Sequence, residues 1–110
     1  CLHLMSLVSP LAEDLALVYA PLLPAALYNE LVERGFSVLC APPEEFEASR
    51  GLNLNVLATS PRRCIAVDGF PRTVQLMRDA GCEVATFPAD ELCIPCEGGP
   101  PCLTRPLWRA

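Results

Sequence analysis

Two stretches of this 110-residue chain match each other at a spacing of 46 residues. Leu31-Val32-Glu33-Arg34-Gly35-Phe36-Ser37-Val38 corresponds to Met77-Arg78-Asp79-Ala80-Gly81-Cys82-Glu83-Val84, so that Gly35 falls on Gly81 and Val38 on Val84. Further on, Pro42 falls on Pro88, Glu44 on Asp90 and Glu45 on Glu91. Self-similarity at such a period marks a supersecondary unit used more than once. Whatever the chain folds into must therefore accommodate two copies of one small motif.

Each copy reads as a strand pair, a helix and a strand. In the first, residues 14–19 form a strand and residues 24–34 a helix with Pro24 in its first turn, where a missing N–H costs nothing. Ala25, Leu27, Tyr28, Leu31 and Val32 make its apolar face. Gly35 ends it, and residues 36–40 return as a strand. In the second copy, residues 53–59 form a strand, 60–62 a turn, 63–67 a strand, 71–80 a helix and 83–87 a strand. Val74, Leu76, Met77 and Ala80 give that helix its apolar face, and Gly81 ends it. Ahead of both, residues 2–8 read as a further strand. The fold class is α/β, with sheets backed by helices. Glu44-Glu45 and Asp90-Glu91 are expected to form solvated turns after strands, and Asn55 to be hydrogen-bonded within the core. Two such units bury their faces poorly without neighbours, and about three or more are usual for stability. With Cys1 rather than Met in first position, the chain is expected to be the C-terminal piece of a longer protein. By itself it is expected to be aggregation-prone or partly ordered, and catalytically silent.

Composition narrows the class of partner. Hydrophobic residues make up 52% of the chain, enough for a packed core. A net charge of −5 speaks against nucleic acid. All eight basic residues are arginine. The uncharged stretch over residues 15–28 is interrupted by Pro21 and Pro24 and too short to span a bilayer. No basic n-region followed by an apolar core opens this stretch of chain, so a secretory signal is not expected from it. Of the seven cysteines, Cys1, Cys40, Cys64 and Cys82 lie in apolar or strand-like runs, where a thiol behaves as a small hydrophobe. A reducing, cytoplasmic setting is the expectation.

The last cysteine, Cys102, differs from these. It follows Gly98-Gly99-Pro100-Pro101 and precedes Leu103-Thr104. The glycine pair allows close approach of a ligand to backbone, and the prolines stiffen delivery of the thiol. The only histidine, His3, lies at the other end of the chain. A thiol and an imidazole are the minimum for nucleophilic catalysis with proton transfer. A rival reading takes Cys93, Cys96 and Cys102 as zinc ligands, with a distant cysteine or His3 as the fourth.

The segment Glu97-Gly98-Gly99-Pro100-Pro101-Cys102-Leu103-Thr104 resembles the nucleophile loop of the guanidino-group-modifying enzymes, which include dimethylargininase, arginine deiminase and the amidinotransferases. His3-Leu4-Met5-Ser6-Leu7-Val8-Ser9 resembles their catalytic-histidine strand, and Asn55-Val56-Leu57-Ala58 and residues 76–84 are also similar. The resemblance implies a five-fold pseudosymmetric α/β propeller (pentein) of ββαβ units. This chain would supply two of them, over residues 10–50 and 51–95, followed by the nucleophile loop and last strand over 96–110. Arginine deiminases usually carry aspartate two residues after the histidine and a histidine directly before the cysteine. Here those positions hold Met5 and Pro101. Dimethylargininases place serines where Ser6 and Ser9 stand, so the resemblance leans toward a dimethylargininase-like hydrolase.

What the resemblance implies for mechanism is a set of named roles. Cys102 attacks the guanidinium carbon as a thiolate. His3 protonates the departing amine and then takes a proton from the water that hydrolyses the thiouronium intermediate. Glu97, Gly98 and Gly99 contact the substrate. No metal or other cofactor is implied, because the substrate carries its own positive charge. The partner is a small-molecule guanidino compound, with neither nucleic acid nor membrane; the acids and arginines that choose the substrate would lie upstream of Cys1. Arginine deiminase or amidinotransferase activity, a zinc-binding module and an inactive truncated product remain alternatives.

Overall fold

The structure, a computed structural model, describes residues 4–88 with Pro101, Thr104 and Leu107, and for Met5 the backbone alone. Two three-stranded sheets alternate with three helices. The first sheet contains β1 (Val8–Ala12), β2 (Leu15–Val18) and β3 (Ser37–Cys40), with α1 (Ala25–Glu33) between β2 and β3. After α2 (Pro43–Ser49), the second contains β4 (Leu57–Ser60), β5 (Arg63–Val67) and β6 (Glu83–Phe87), with α3 (Pro71–Asp79) before β6. Both sheets are an antiparallel hairpin extended by a parallel third strand. The expected repeat is therefore present as two ββαβ units.

Backbone detail repeats as well. Each first strand carries an irregularity, between Pro10 and Ala12 and between Ala58 and Ser60. The Ser37 amide donates to the Asp14 carbonyl and the Glu83 amide to the Arg62 carbonyl, each at 2.7 Å. The hairpins superimpose at a spacing of 48 (Pro10 to Ala58), whereas the third strands do so at 46 (Ser37 to Glu83). The second helical crossover is thus two residues shorter, and the difference falls between β5 and α3, since the helices already stand 46 residues apart. Gly35 and Gly81 both sit just past their helices with φ of 83° and 93°, the left-handed geometry that favours glycine there.

Several expectations need correction. Residues 4–7 do not extend as a strand: Leu4–Ser6 is a 3-10 turn, and β1 begins at Val8. The physical limit is the partner, since β2 ends at Val18 opposite Val8 and only the Tyr19 amide reaches back, to the Leu7 carbonyl. Likewise residues 53–56 are not strand. Leu52–Leu54 is a second 3-10 turn entered through Gly51, and β4 starts at Leu57. Glu44 and Glu45 lie not in a solvated turn but in the first turn of α2, where carboxylates favour the helix N-terminus. On α1, Leu27, Tyr28 and Leu31 pack against the sheet, but Ala25 is exposed and Val32 is 52% exposed.

The core is shared. One cluster joins Leu11, Leu15 and Leu17 of the first unit to Cys64, Ala66, Val74, Met77 and Cys82 of the second, with Leu54 and Val56 from the connection. Alternation along β2 sends Leu15 and Leu17 into this cluster and Ala16 and Val18 into a second one under α1. Phe46 of α2 stacks on Tyr19 with ring centroids 3.6 Å apart. Arg62, at φ 62°, ties the units together. Its amide donates to the Leu11 carbonyl (2.9 Å), and its guanidinium reaches the Ala80 carbonyl (2.8 Å) and the Asp14 carboxylate (3.1 Å). Among the described residues, no helix is long and apolar enough to cross a membrane.

Candidate functional site

The residues nominated by the sequence, His3, Glu97, Gly98, Gly99 and Cys102, lie outside the described residues, as do Cys1, Cys93, Cys96, Asp90 and Glu91. The backbone that follows His3 is described. Leu4–Ser6 turns so that the Leu7 amide donates to the Leu4 carbonyl at 2.8 Å. Gly51 backs directly onto this turn: a Cβ there would lie 3.2 Å from Ser6 Cβ and 3.4 Å from Phe46 Cε2. The segment leading from His3 is thereby seated against α2 and the connection to β4. Ser9 is buried and its hydroxyl donates to the Leu54 carbonyl, so it joins β1 to the same connection. Ser6 is half-buried.

Below this lies a polar network that sequence reasoning missed. The N-terminus of α3 has Phe70 at its cap position, with no side-chain acceptor of its own. Glu45 supplies the acceptor from α2. Its Oε1 accepts the Thr73 amide (2.8 Å) and hydroxyl (2.6 Å), and its Oε2 accepts the Arg72 amide (3.0 Å). Burial alone would raise the Glu45 pKa. The Thr73 hydroxyl, the two amides and the Arg72 charge outweigh it and hold the carboxyl below its ordinary value. Beside it, the buried Asn53 side chain donates to Thr73 Oγ1 (3.1 Å), and the Asn53 amide donates to the Ser49 hydroxyl (3.1 Å). Asn55 is buried and engaged, as expected. Among the described residues no buried side-chain polar atom lacks a partner. This network supports the backbone around residues 4–6 and 51–55 and has no group free for proton transfer. The signal for it in the sequence was indirect: a helix starting Phe70-Pro71 needs an acceptor from elsewhere.

A second cluster pairs two thiols. Cys64 and Cys82 are both buried and free, whereas Cys40, at the end of β3, is exposed rather than packed as a small hydrophobe. Burial, then the neighbouring Cys82, pushes the Cys64 thiol up to about 12. Burial also raises Cys82, opposed by a hydrogen bond from Cys64 and by the Arg62 charge. Among the described residues, no group of three or more His, Cys, Asp or Glu could hold a metal ion.

No protein-family model matches the chain. Over 55 residues, half of its length, it is 46% identical to the arginine deiminase of Mycoplasma capricolum subsp. capricolum, of which that stretch is 13%. Its fold matches SxtG, an amidinotransferase from Microseira wollei in the saxitoxin biosynthetic pathway, with a TM-score of 0.66 and 22% identity. That match covers 80% of this chain and 26% of SxtG, so the chain spans a minor part of the proteins it resembles. Sequence likeness to an arginine deiminase over half of the chain and fold likeness to an amidinotransferase over four-fifths of it relate this chain to the guanidino-group-modifying superfamily.

Proposed function

We propose that this chain supplies the nucleophile and the proton-transfer residue of a hydrolase acting on the guanidino group of an arginine derivative, dimethylarginine being the preferred substrate. The observation that carries the guanidino chemistry is the 46% identity to an arginine deiminase over half of the chain. Cys102 attacks the guanidinium carbon, and His3 protonates the amine that leaves. The thiouronium so formed is hydrolysed by a water that gives its proton to His3, releasing citrulline. Glu97, Gly98 and Gly99 approach the cationic centre. The setting is cytoplasmic, and the completed catalytic domain is a five-fold propeller.

The preference for dimethylarginine rests on Met5 and Pro101, which stand where arginine deiminases usually have aspartate and histidine. Ser6 and Ser9 weigh less, because the Ser9 hydroxyl is already committed to the Leu54 carbonyl. A second reading, arginine deiminase, is favoured by the identity of the matched relative. Product analysis separates the two. The full-length protein carrying this chain should release citrulline and dimethylamine from dimethylarginine, and the rate should fall by roughly 10²-fold or more with His3→Ala. Cys102→Ser should abolish turnover, and a quenched wild-type reaction should carry a covalent adduct on the Cys102 peptide. Ammonia from arginine as the dominant product would decide for the deiminase. A Cys102→Ser enzyme with near-normal rate would refute both.

A further inference from the structure

Cys64 lies on β5 directly opposite Val84 of β6. Cys82 stands two positions before Val84, and side chains two apart along an extended segment share a face. The two thiols are therefore diagonal neighbours on one face of the second sheet, both within the common core. They interact thiol to thiol. They are not equivalent. The Arg62 guanidinium favours a thiolate at Cys82, and it is fixed nearby through its bond to the Ala80 carbonyl. At Cys64 burial and then its partner both raise the thiol. A buried thiol with a cation beside it, and a second thiol in reach, can serve as an attacking and a resolving cysteine once local opening relieves its burial.

We propose that Cys64 and Cys82 are a redox couple, closing an intramolecular disulfide between β5 and the start of β6 in the presence of a low-molecular-weight disulfide such as oxidised glutathione. When local opening exposes Cys82, its thiol gives its proton to solvent and the thiolate attacks one sulfur of the oxidant, forming a mixed disulfide and releasing one thiolate. The Cys64 thiol gives its proton to that thiolate and attacks the Cys82 sulfur, expelling the second glutathione thiolate, which takes a proton from solvent. Two protein thiols lose two electrons, and the oxidant is reduced to two thiols. Because both cysteines are buried, the first attack waits on local opening at the Ala80–Glu83 corner, so the pair reacts more slowly than exposed Cys40. The disulfide closes a loop within the second unit and leaves the oxidised chain more stable. This inference does not depend on the proposed activity.

Peptide mapping tests it. The chain is incubated with oxidised glutathione, remaining thiols are blocked by alkylation, and the digest is examined by mass spectrometry. A linked Cys64–Cys82 peptide pair, removed by dithiothreitol and accompanied by a melting temperature higher by about 5 °C, is the expected result. In Cys64→Ala, Cys82 should keep a glutathionyl adduct, whereas in Cys82→Ala, Cys64 should stay unmodified. Cys64 and Cys82 both recovered as alkylated thiols, under conditions that fully modify Cys40, would overturn the proposal. So would a disulfide from either one to a different cysteine. The wild-type map decides even where a variant fails to fold.

Discussion

Glu45 shows how much one side chain can decide. It sits on α2 yet caps α3, accepting two backbone amides and a hydroxyl that the local sequence leaves without an acceptor. Removing the charge should weaken the chain by about 1 kcal/mol at neutral pH, the usual worth of a helix cap. The pH dependence has a definite sign. The folded carboxyl lies below its ordinary 4.5, so the unfolded state takes up a proton first as acid is added. Its contribution is complete above about pH 4.5 and is lost as pH falls through the lower folded value. Urea melts of wild type and Glu45→Gln should therefore differ at pH 7 and draw together as pH falls below 4.5. A gap that stays constant down to pH 3 would mean that the carboxylate is not the stabilising species. Arg72 pairs with Glu44 at 3.1 Å as well, but both side chains are well exposed, and such a pair adds little.

At the scale of elements, the regular pieces were legible because their signals are local. Residues 63–67 and 83–87 are strands with the bounds read from the sequence, and both long helices lie between the expected proline and glycine. The misreadings have two causes. Residues 4–7 lack a partner, because β2 ends at Val18 opposite Val8. Along residues 53–56 the backbone is taken up locally instead: the Leu54, Asn55 and Val56 amides donate to the Gly51, Leu52 and Leu54 carbonyls, so the segment does not pair although β5 runs on to Val67. Short α2 was missed because Phe46 is its one large apolar anchor. Gly51, at φ 88°, is where the chain turns from α2 into the connection and touches Ser6. Gly51→Ala should cost about 1–2 kcal/mol from the left-handed backbone alone, and more from the 3.2 Å contact. Gly35→Ala meets nothing within 4 Å at a similar φ and should cost only the first part. Equal losses in urea midpoint would show that the contact at Ser6 is relaxed without cost.

For the whole molecule, the shared cluster makes the two units one cooperative object among the described residues. Leu15 of the first and Met77 of the second are both essentially inaccessible and lie in the same core. Leu15→Ala and Met77→Ala should each remove about 2–5 kcal/mol and shift one common unfolding transition, followed by Tyr19 fluorescence and by far-ultraviolet circular dichroism. Two separated transitions, each moved by one substitution only, would mean that the repeats unfold independently. The second sheet lacks the double cover of the first. Leu15 and Leu17 of β2 are buried under the neighbouring unit, while Arg63 of β5 is exposed and Ile65 half-exposed at the corresponding positions. A propeller would set a further unit against that face.

The repeat, the type and order of its main elements, and the residues that resemble a guanidino-enzyme nucleophile loop are legible along the chain. Those properties are carried by periodicity, proline and glycine placement, and short contiguous motifs. Which carboxylate caps α3, which thiols meet, and that one core serves both units emerge only once the sheets are packed. Glu45 and Thr73 are 28 positions apart, Asn53 and Thr73 are 20 apart, and Arg62 and Asp14 are 48 apart. Such contacts follow from how two sheets pack around a common interior, and no local pattern along the chain encodes that packing.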